Sequence, residues 1–472
     1  MPASRSWSQY RLDYRKREMQ ILAGWIWAGA SGSVVGSAGT GKSNLLGFLC
    51  HRPDALEQYL PADSMARALI PVDLNNLPAD DISTLYRVIL RSFYESRDQF
   101  EASLQEIITT LYLENRAAQD PFLPHSALRE LILDLQKRRI RVVLVLDRFD
   151  RFYQDVAPEM TGTLRGLRDS FKDTVCYIVG MRQEVSYLAN PAALGELYEL
   201  LDTYVCWVQP MDEADARQLI ADETSDGHET LDEADIWRIL DLTGRHPALL
   251  KATCHWWRTV PNRPEEGWSN LLLEKSTIQH RLEKIWRSLT LAEQQVLGDI
   301  HKWQLKAESR APVRKTKPKE MELDQQQKKA ADLLVKKEII LPVDGGWRIR
   351  GSLLSAYVGR AAGRSPGSLW IDETDDIVYQ GNSALKDLTP LENGLLCFLV
   401  RHPRVRHTHT ELIEAVWPED ISKEGVSTEA LYQVVRGLRR KIEPEPGQSR
   451  YIVNWRGSPE GGYQCFPEGR PG

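Results

Sequence analysis

The stretch Gly32–Leu46 carries the feature that most restricts what this chain can fold into. It reads GSVVGSAGTGKSNLL and fits the pattern G-x-x-x-x-G-K-[ST] from Gly36 to Ser43. An apolar run precedes the pattern and a helix-like run follows it, so the loop is predicted to join a strand to a helix. The backbone N–H groups of such a loop bind phosphate at a helix N-terminus. The sequence therefore predicts a nucleotide phosphate-binding loop, called the P-loop below.

The P-loop residues have distinct predicted roles. The glycines permit positive φ angles and a close approach of the backbone to phosphate. Lys42 would reach the β- and γ-phosphates, and the Ser43 hydroxyl would be a Mg²⁺ ligand. The predicted cofactors are ATP or ADP with Mg²⁺. The predicted nucleotide-binding residues of this region are Gly36, Gly39, Thr40, Gly41, Lys42, Ser43 and Asn44.

Two more strand ends are predicted to face the P-loop. The segment Arg141–Asp147 is a continuous apolar run that ends in an acid, which is typical of a fully buried parallel strand. The carboxyl ends of parallel strands meet at the ligand-binding edge, so we expect Asp147 to hold the Mg²⁺ beside the P-loop. Arg182 follows a second apolar run, 175–180, and is placed to sense a γ-phosphate. Ordinary loop positions are the alternative for both residues.

Composition limits the class of protein. The net charge is −6, and the positive charge is concentrated in residues 281–360, so a uniformly basic nucleic-acid binder is excluded while local basic surfaces are not. No apolar run is long enough for a membrane span, and the N-terminus lacks the apolar core of a signal peptide. We expect a cytoplasmic protein without membrane contact. Six scattered cysteines indicate neither zinc nor disulfides.

The middle of the chain is predicted to contain two helices and a hairpin. Thr290 is the expected N-cap of the first helix, and Glu293 completes a capping box. The second helix is predicted over 330–338, and the segment 339–349 reads as a hairpin with Asp-Gly-Gly at its turn. Two helices and a hairpin indicate a winged helix. The basic insert 310–319 is either a solvated loop or a phosphate contact.

The first three quarters of the chain resemble the STAND class of AAA+-like P-loop ATPases. Tyr14–Glu18 is similar to the R-x-E-type box near the adenine in that class, 164–168 resembles the segment before the sensor strand, and 242–250 resembles the Gly/Pro signature of the helical lid. The resemblance implies nucleotide contacts by Arg17 and by Pro247. It also implies that the middle winged helix locks the inactive state.

The resemblance raises one question about hydrolysis. In hydrolysing relatives the aspartate at the position of Asp147 is usually followed by a second acid that polarises the attacking water, whereas this chain has Arg148. Asp150 is the candidate replacement, or it pairs with a nearby arginine. A poor base predicts slow hydrolysis, suited to a timer. The predicted catalytic residues are Asp147, Asp150 and Arg182, and the predicted metal ligands are Ser43 and Asp147.

The C-terminal part, beyond the linker 359–368, has a different pattern. Thr389 followed by Pro390 predicts a helix start, and Ser427–Ile442 predicts a helix before a glycine-containing wing. The sequence LRRKIEP at 438–444 resembles the end of the recognition helix in OmpR/PhoB-type winged-helix DNA-binding domains. The resemblance implies base contacts by Tyr432, Gln433 and Arg436, phosphate contacts by Arg439, Arg440 and Lys441, and a backbone or minor-groove contact by Arg456.

Two departures bear on this second resemblance. The wing carries the extra residues 458–460, and the domain is net acidic. The alternative is a winged helix that binds protein.

The predicted fold is a multidomain chain, with an α/β P-loop NTPase core and a helical lid followed by two winged-helix domains. The predicted boundaries are 1–208 for the core, 209–280 for the lid, 281–362 for the first winged helix and 363–472 for the DNA-binding one.

The predicted function is that of a bacterial ATP-dependent switch regulating transcription, in which the nucleotide controls self-association and binding to double-stranded DNA. A partner protein is the expected source of the signal, and the DNA-bound form would be nucleoid-associated. One alternative is a DNA-loading or remodelling ATPase, of a replication-initiator-like or transposition-related kind. Another is a nucleotide-bound scaffold in an antiviral or stress complex.

Overall fold

The computed structural model describes most of the chain and divides it into two compact units. The described residues are 7–62, 65–74, 77, 81–149, 152, 158–188, 190–225, 231–260, 264, 267–310, 321–361, 368–372, 377–381, 383–385, 387–417, 426–443, 449–457 and 460–470. The first unit is Met1–Val296 with Trp303–Ser355, and the second is Leu297–Lys302 with Ala356–Gly472. The domain boundaries drawn from the sequence remain predictions.

A parallel five-stranded sheet forms the centre of the first unit. Its strands are β1 (Gly32–Val35), β2 (Arg67–Asp73), β3 (Arg141–Asp147), β4 (Val175–Met181) and β5 (Val205–Trp207). The order is β2-β3-β4-β1-β5, and every neighbouring pair is parallel. Every residue of β4 is buried, as expected for a strand covered on both faces. The order places β4 between the strand that enters the P-loop and the strand that ends at Asp147.

Helices cover this sheet through regularly spaced apolar residues. In α4, Leu85, Ile89 and Phe93 recur every four residues, and all three side chains are buried. Helices α4, α5 and α6 also pack against one another. The helices up to the end of the sheet are α1 (Lys16–Ala28), α2 (Lys42–His51), α3 (Pro53–Glu57), α4 (Ile82–Glu95), α5 (Ala102–Asn115), α6 (Phe122–Lys137), α7 (Pro158–Ser170) and α8 (Leu197–Asp202).

Helices and a hairpin follow the sheet. The helices are α9 (Glu213–Thr224), α10 (Glu233–Thr243), α11 (Pro247–Thr259), α12 (Trp268–Leu273), α13 (Ser276–Arg287), α14 (Leu291–Arg310), α15 (Gln325–Lys336) and α16 (Ser352–Ala361). The predicted capping box is confirmed, because the Thr290 N–H donates to Glu293 Oε2 at 2.8 Å and the Glu293 N–H donates to Thr290 Oγ1 at 3.3 Å.

The predicted hairpin is confirmed as antiparallel strands β6 (Ile340–Val343) and β7 (Gly346–Ile349). Helix α15 begins five residues before the predicted start, because Asp324 caps it in a capping box with Gln327. The winged-helix assignment of 281–362 stays a prediction. Most of the basic insert 310–319 lies outside the described residues.

The described residues of the second unit form two small antiparallel sheets and three further helices. Strands β8 (Leu369–Asp372), β9 (Ile377–Gln380) and β10 (Ser383–Ala384) form one sheet, and β11 (Arg406–Thr408), β12 (Ile452–Trp455) and β13 (Gly462–Cys465) form the other. The helices are α17 (Pro390–Arg401), α18 (His409–Val416) and α19 (Thr428–Ile442). Thr389 caps α17 as predicted, with Pro390 at the first helical position.

A shared apolar core holds this unit together. Leu431, Val435, Leu438 and Ile442 recur at spacings of three and four along α19, and all four side chains are buried. They belong to one cluster with Leu395 and its neighbours on α17. The opposite face of α19 is left to polar side chains.

Two further findings concern the described part of the chain. None of its helices is long and apolar enough to cross a membrane. All six cysteines are present as free thiols, and five of them are buried.

Glycine at 437 is required by the contact between α19 and α17. A Cβ added there would overlap the Glu392 carboxylate, which caps α17 and accepts from Lys441 Nζ at 2.6 Å. We expect Gly437→Ala to destabilise the second unit by about 1–3 kcal/mol through overpacking. Gly394→Ala is the control, since its Cβ would meet Val416 at an ordinary 3.5 Å.

The measurement is the free energy of unfolding in urea, with hydrogen exchange in peptides from α17 and α19 as the probe of the second unit. Equal stability of Gly437→Ala and Gly394→Ala would show that the contact with Glu392 does not require glycine at 437.

Candidate functional site

The P-loop has the geometry that its sequence predicts. Strand β1 ends at Val35 and α2 begins at Lys42. Gly39 and Gly41 have φ angles of 80° and 93°, which other residues rarely adopt. A Cβ on Gly36 would lie 2.8 Å from Thr40 Oγ1, within a turn where that hydroxyl donates to the Ser37 carbonyl. The glycines therefore allow a tight loop whose backbone N–H groups stand at the start of α2.

The polar side chains of the loop lie at the same end of α2. Lys42 Nζ donates to the carbonyls of Gly36 and Ser37, so its ammonium group stays over the loop. Ser43 is exposed in the first turn of α2. The donor set, an ammonium group and successive backbone N–H groups, fits a polyphosphate.

Asp147 reaches toward this loop across β4. A Cβ on Gly180 would lie 2.9 Å from Asp147 Oδ1 and 2.8 Å from Leu46 on α2, so the missing side chain leaves room for the carboxylate. Because β4 separates β3 from β1, a larger residue at 180 would push the carboxylate away from the P-loop helix. Ser43 and Asp147 are the two side chains that could hold a divalent cation here. The described residues contain no cluster of three or more His, Cys, Asp or Glu side chains with metal-binding geometry.

Arg148 occupies the position after Asp147 with a positive φ of 60°. Its N–H donates to Asp147 Oδ1 at 2.9 Å, and its Nε lies 3.8 Å from Asp147 Oδ2. The residue after Asp147, where a second acid would stand, is therefore positively charged and contacts the Asp147 carboxylate. Asp150 lies outside the described residues, so its role as a base stays a prediction. Arg182 is exposed directly after β4, between the strands that lead to the P-loop and Asp147, and its sensing role also stays a prediction.

Arg15 is the residue at this site that sequence analysis missed. Its side chain is only 2% exposed, although it carries a charge. The guanidinium donates to the Thr40 carbonyl at 2.7 Å and to the Gln209 carbonyl at 2.6 Å, joining the P-loop to the end of the sheet. Its backbone has a φ of 53°.

The neighbouring arginine has a different environment. Arg17 has 67% of its side chain exposed and bonds to Gln209 Oε1 and to Glu338. Nucleotide contact had been predicted for Arg17, but the structure places Arg15 against the P-loop. The signal was present in the spacing, because Arg15 lies four and seven residues before Met19 and Leu22, the buried side of α1.

A cavity lies next to the P-loop. Three of its lining residues, Gly41, Asn44 and Pro247, were predicted from the sequence to bind nucleotide. Flat aromatic rings and a proline ring suit a purine base, and the polar side chains supply hydrogen-bond partners. The lining residues that define it are Tyr10, Tyr14, Asn44, Met211, Asp215 and Pro247.

Two buried titratable groups sit on either side of the loop. Burial raises the pKa of Asp215 to about 6, and one of its oxygens accepts the Arg15 N–H at 2.9 Å. Burial lowers the pKa of His246 to about 4, which keeps the imidazole neutral at pH 7. The His246 Cε1 lies 3.0 Å from the place of a Cβ on Gly39. The residue before Pro247 therefore packs directly on the P-loop.

Helix α19 presents a polar face in the second unit. Exposed side chains on this face are Tyr432, Gln433, Arg436 and Arg440. They follow spacings of one, three and four residues and so share one side of the helix. Arg456 is exposed directly after β12. This arrangement leaves hydrogen-bond donors free for a groove of acceptors and phosphates.

Two predicted DNA-contacting residues are held by the domain itself. Arg439 is half-buried and donates to the Ile452 carbonyl at 2.6 Å and to the Asn454 side chain. Lys441 donates to the Asp387 carbonyl and to Glu392. These bonds hold α19 in place within the unit, and the phosphate contacts predicted for Arg439, Arg440 and Lys441 stay predictions.

The fold and the two sites define a P-loop NTPase joined to an OmpR/PhoB-type winged-helix DNA-binding domain. Residues 15–345, more than half of the chain, match the family described as Novel STAND NTPase 1. The chain belongs to this family. Residues 383–464 match the family described as Transcriptional regulatory protein, C terminal. Both resemblances drawn from the sequence are confirmed.

Solved structures similar to this chain include the Walker-type ATPase paby2304 of Pyrococcus abyssi, with 16% identity, a TM-score of 0.44, and coverage of 73% of this chain and 95% of that one. The ADP form of Aeropyrum pernix ORC2 has 14% identity, a TM-score of 0.38, and coverage of 74% and 94%. The DNA-binding domain of the response regulator AdeR, in complex with an intercistronic region, has 26% identity, a TM-score of 0.18, and coverage of 21% and 94%. No curated protein matches this chain.

Replacement of Arg15 by lysine should weaken nucleotide binding. Lysine at this position would lose at least one of the three charge-assisted hydrogen bonds of the guanidinium, worth about 1.5–3 kcal/mol, or roughly a 10- to 100-fold rise in the Kd for ADP. Arg17→Lys is the matched control and should change the Kd by less than about threefold, because Arg17 is mostly exposed. Anisotropy of a fluorescent ADP measures both. A larger loss for Arg17→Lys would return the nucleotide contact to that residue.

Asp215 should make the stability of the nucleotide-free protein depend on pH. Burial raises its pKa in the folded chain to about 6, from an ordinary value of 3.8, so folding favours the protonated form. Stability from this group is therefore full below about pH 4 and is lost as the pH rises through 6, by about 1.4 kcal/mol per pKa unit at most.

The test compares urea unfolding of Asp215→Asn and the unchanged protein from pH 4.5 to 7.5. The variant should gain stability relative to the unchanged protein as the pH rises. His246 has the opposite trend but is present in both proteins, so it cancels in the difference. A difference that is flat with pH would show that Asp215 is ionised in the folded protein.

Proposed function

We propose that this protein is an ATP-dependent switch that regulates transcription, in which the bound nucleotide controls DNA binding by the C-terminal winged helix. The observation that carries the proposal is the combination of a complete P-loop site with Arg148 on the Asp147 carboxylate and an exposed basic face on α19. The first two features favour holding a nucleotide over rapid turnover. The third provides an output on DNA.

The nucleotide part of the proposal assigns ATP or ADP with Mg²⁺ to the P-loop and its cavity. Lys42 and the loop N–H groups would bind the phosphates, and Ser43 and Asp147 would hold Mg²⁺, which neutralises phosphate charge when bound. The cavity between Tyr14 and Pro247 would take the adenine. Arg15 fixes the P-loop through Thr40. Pro247 and His246 bring the lid onto the same loop.

Slow hydrolysis follows from the surroundings of Asp147. A general base must accept a proton from the attacking water within hydrogen-bond reach. The Arg148 guanidinium beside Asp147 cannot accept a proton. Its positive charge also lowers the proton affinity of a carboxylate placed next to it, which makes that carboxylate a weaker base. Asp150 remains the proposed base, with Arg182 as the γ-phosphate sensor. Slow hydrolysis suits a switch whose ATP-bound state must last while DNA is bound.

The output part of the proposal assigns double-stranded DNA to α19. Tyr432, Gln433 and Arg436 would face base edges, and Arg440 and Arg456 would contact the backbone. The ring of Tyr432 is supported by His409, with ring centroids 5.3 Å apart, so its orientation is restricted before any contact is made. A restricted side chain loses less conformational entropy on binding.

Regulation and assembly complete the proposal. We infer that ATP promotes self-association and that a partner protein supplies the signal. The proposed location is the cytoplasm, with nucleoid association when DNA is bound. Reversal of DNA binding by nucleotide alone, without any partner, would remove the need for a separate signal.

A DNA-loading or remodelling ATPase is the second candidate. It is favoured by the same combination of a nucleotide site and a DNA-binding domain in one chain. It differs in requiring turnover that DNA accelerates. A scaffold whose winged helix grips protein is the third candidate, and it predicts that α19 arginines are dispensable for binding.

The deciding experiment is capture of fragmented genomic DNA by the purified protein, with and without ATP-Mg²⁺, while phosphate release is followed in the same sample. Enrichment of a discrete site that ATP shifts, with little phosphate released, is the expected result. Unspecific capture with DNA-accelerated phosphate release would establish the loading ATPase instead. No DNA capture would favour the scaffold.

Two arginines on α19 should control this DNA binding. We expect Arg436→Ala and Arg440→Ala each to raise the Kd for the captured site by roughly 10-fold or more, and Arg440→Ala to reduce the salt dependence by about one phosphate contact. Arg404→Ala is the control, because this arginine is also exposed and belongs to the same unit but lies outside α19, where it pairs with Glu468. Titration of a labelled fragment at several salt concentrations measures all three. Equal losses for all three would indicate a general charge effect.

A further inference from the structure

Gln209 connects the P-loop to a later part of the chain. Its carbonyl accepts from Arg15, whose guanidinium also donates to the Thr40 carbonyl of the P-loop. The preceding residue, Val208, donates its N–H to the carbonyl of Val35 at 2.7 Å, directly before the P-loop. The main chain at Gln209 is therefore tied to the loop through two independent contacts.

The side chain of Gln209 points to the end of α15. Its Nε2 donates to the Lys336 carbonyl at 2.9 Å, and its Oε1 accepts from Arg17. The residue is only 7% exposed, so water competes little for these bonds. One residue thus has its main chain at the nucleotide site and its side chain on the segment 325–351, which we call the coupling segment.

Charged contacts hold the coupling segment against the same region. Glu338 has a positive φ of 49° and accepts from Arg17 at 3.1 Å and from Arg350 at 2.6 Å. Lys337 forms a buried ion pair with Glu293. A strained residue that bridges two arginines persists only where the surrounding contacts fix it, and such residues mark segments with more than one arrangement.

A contact between two glycines completes the attachment. Gly244 ends α10 and Gly351 follows β7, with φ angles of 57° and 81°. A Cβ on Gly351 would lie 2.7 Å from the Gly244 nitrogen, so only two glycines allow these backbones to meet. Gly244 lies two residues before His246, which packs on Gly39 of the P-loop. The lid and the coupling segment therefore meet beside the loop.

We propose that Gln209 is the positioning residue that transmits the geometry of the P-loop to the coupling segment. Phosphate binding fixes the backbone of the loop and so alters the Arg15 contact at Thr40. Arg15 passes that change to the main chain of Gln209, and the side chain passes it to Lys336. The coupling segment is then held more firmly with one nucleotide than with the other. This inference rests on the proposed function, because it gives the route by which the nucleotide site acts.

The test uses the full chain with Gln209→Met, which keeps the volume of the side chain and removes both of its hydrogen bonds. Gln294→Met is the matched control. Gln294 is also 7% exposed, and its Nε2 donates to the carbonyls of Trp286 and Leu289, but none of these bonds reaches the P-loop. The readout is hydrogen exchange in peptides from 325–351, measured with ADP-Mg²⁺ and with a non-hydrolysable ATP analogue.

The expected result is a difference in exchange between the two nucleotides that Gln209→Met reduces at least threefold and Gln294→Met leaves intact. The Kd for fluorescent ADP should change by less than threefold in both variants. A merely structural role for Gln209 would raise exchange equally with both nucleotides and keep the difference. That result, or a segment that exchanges identically with both nucleotides in the unchanged protein, would overturn the inference.

A second pair of variants removes the attachment without touching Gln209. Gly351→Ala forces a methyl group against Gly244, whereas Gly267→Ala imposes the same positive φ, 84° against 81°, with nothing within 4 Å of the new Cβ. We expect Gly351→Ala alone to raise exchange in 325–351 and to abolish its dependence on the nucleotide. Equal effects of the two variants would mean that backbone strain, and not the contact, explains the result.

The outcomes also separate this inference from the proposed function. A protein that binds neither nucleotide fails both. A protein that binds nucleotide and shifts its DNA binding, while Gln209→Met keeps the full exchange difference, retains the proposed function and loses only the route through Gln209.

Discussion

The buried guanidinium of Arg15 is the interaction on which the nucleotide-binding half of this protein depends. A charge with only 2% exposure is costly unless it is paired, and here the Glu18 carboxylate and backbone carbonyls of two distant segments accept hydrogen bonds from it. Thr40 belongs to the P-loop, and Gln209 follows the edge strand β5. One side chain therefore fixes the distance between the loop and the end of the sheet. Asp215 holds the strained backbone of Arg15 from the other side by accepting its N–H.

The order of the strands sets the second constraint. Strand β4 lies between β1 and β3, so the carboxylate of Asp147 must cross a neighbouring strand to reach the P-loop helix. Gly180 makes that crossing possible because a side chain there would occupy the same space. Arg148 then adds a cation next to the carboxylate. This cation is the observation that supports the proposed slow hydrolysis.

In the second unit, the basic end of α19 is divided between two tasks. Arg439 and Lys441 bond inside the unit, to Ile452 and to Glu392, whereas Arg436 and Arg440 are exposed on the polar face. The division follows from helix geometry, since Arg440 lies four residues after Arg436, whereas Arg439 lies four residues after the buried Val435. A run of basic residues in the sequence therefore overstates the number of cations that are available to DNA.

The sequence by itself determined the P-loop, the strand ending at Asp147, the capping boxes at Thr290 and Thr389, and the recognition helix, because each depends on neighbours within a few residues. The same local logic singled out Asn44 and Pro247, which both line the cavity beside the P-loop. Only the tertiary structure showed that Arg15 is buried against the P-loop while Arg17 is mostly exposed, and that Arg439 and Lys441 bond within the second unit, because the partners of these side chains lie far away along the chain. The contact between Gly244 and Gly351 likewise joins two segments that lie far apart along the chain. Local periodicity predicts which face of an element is buried, but which polar group satisfies a buried charge depends on how distant segments meet.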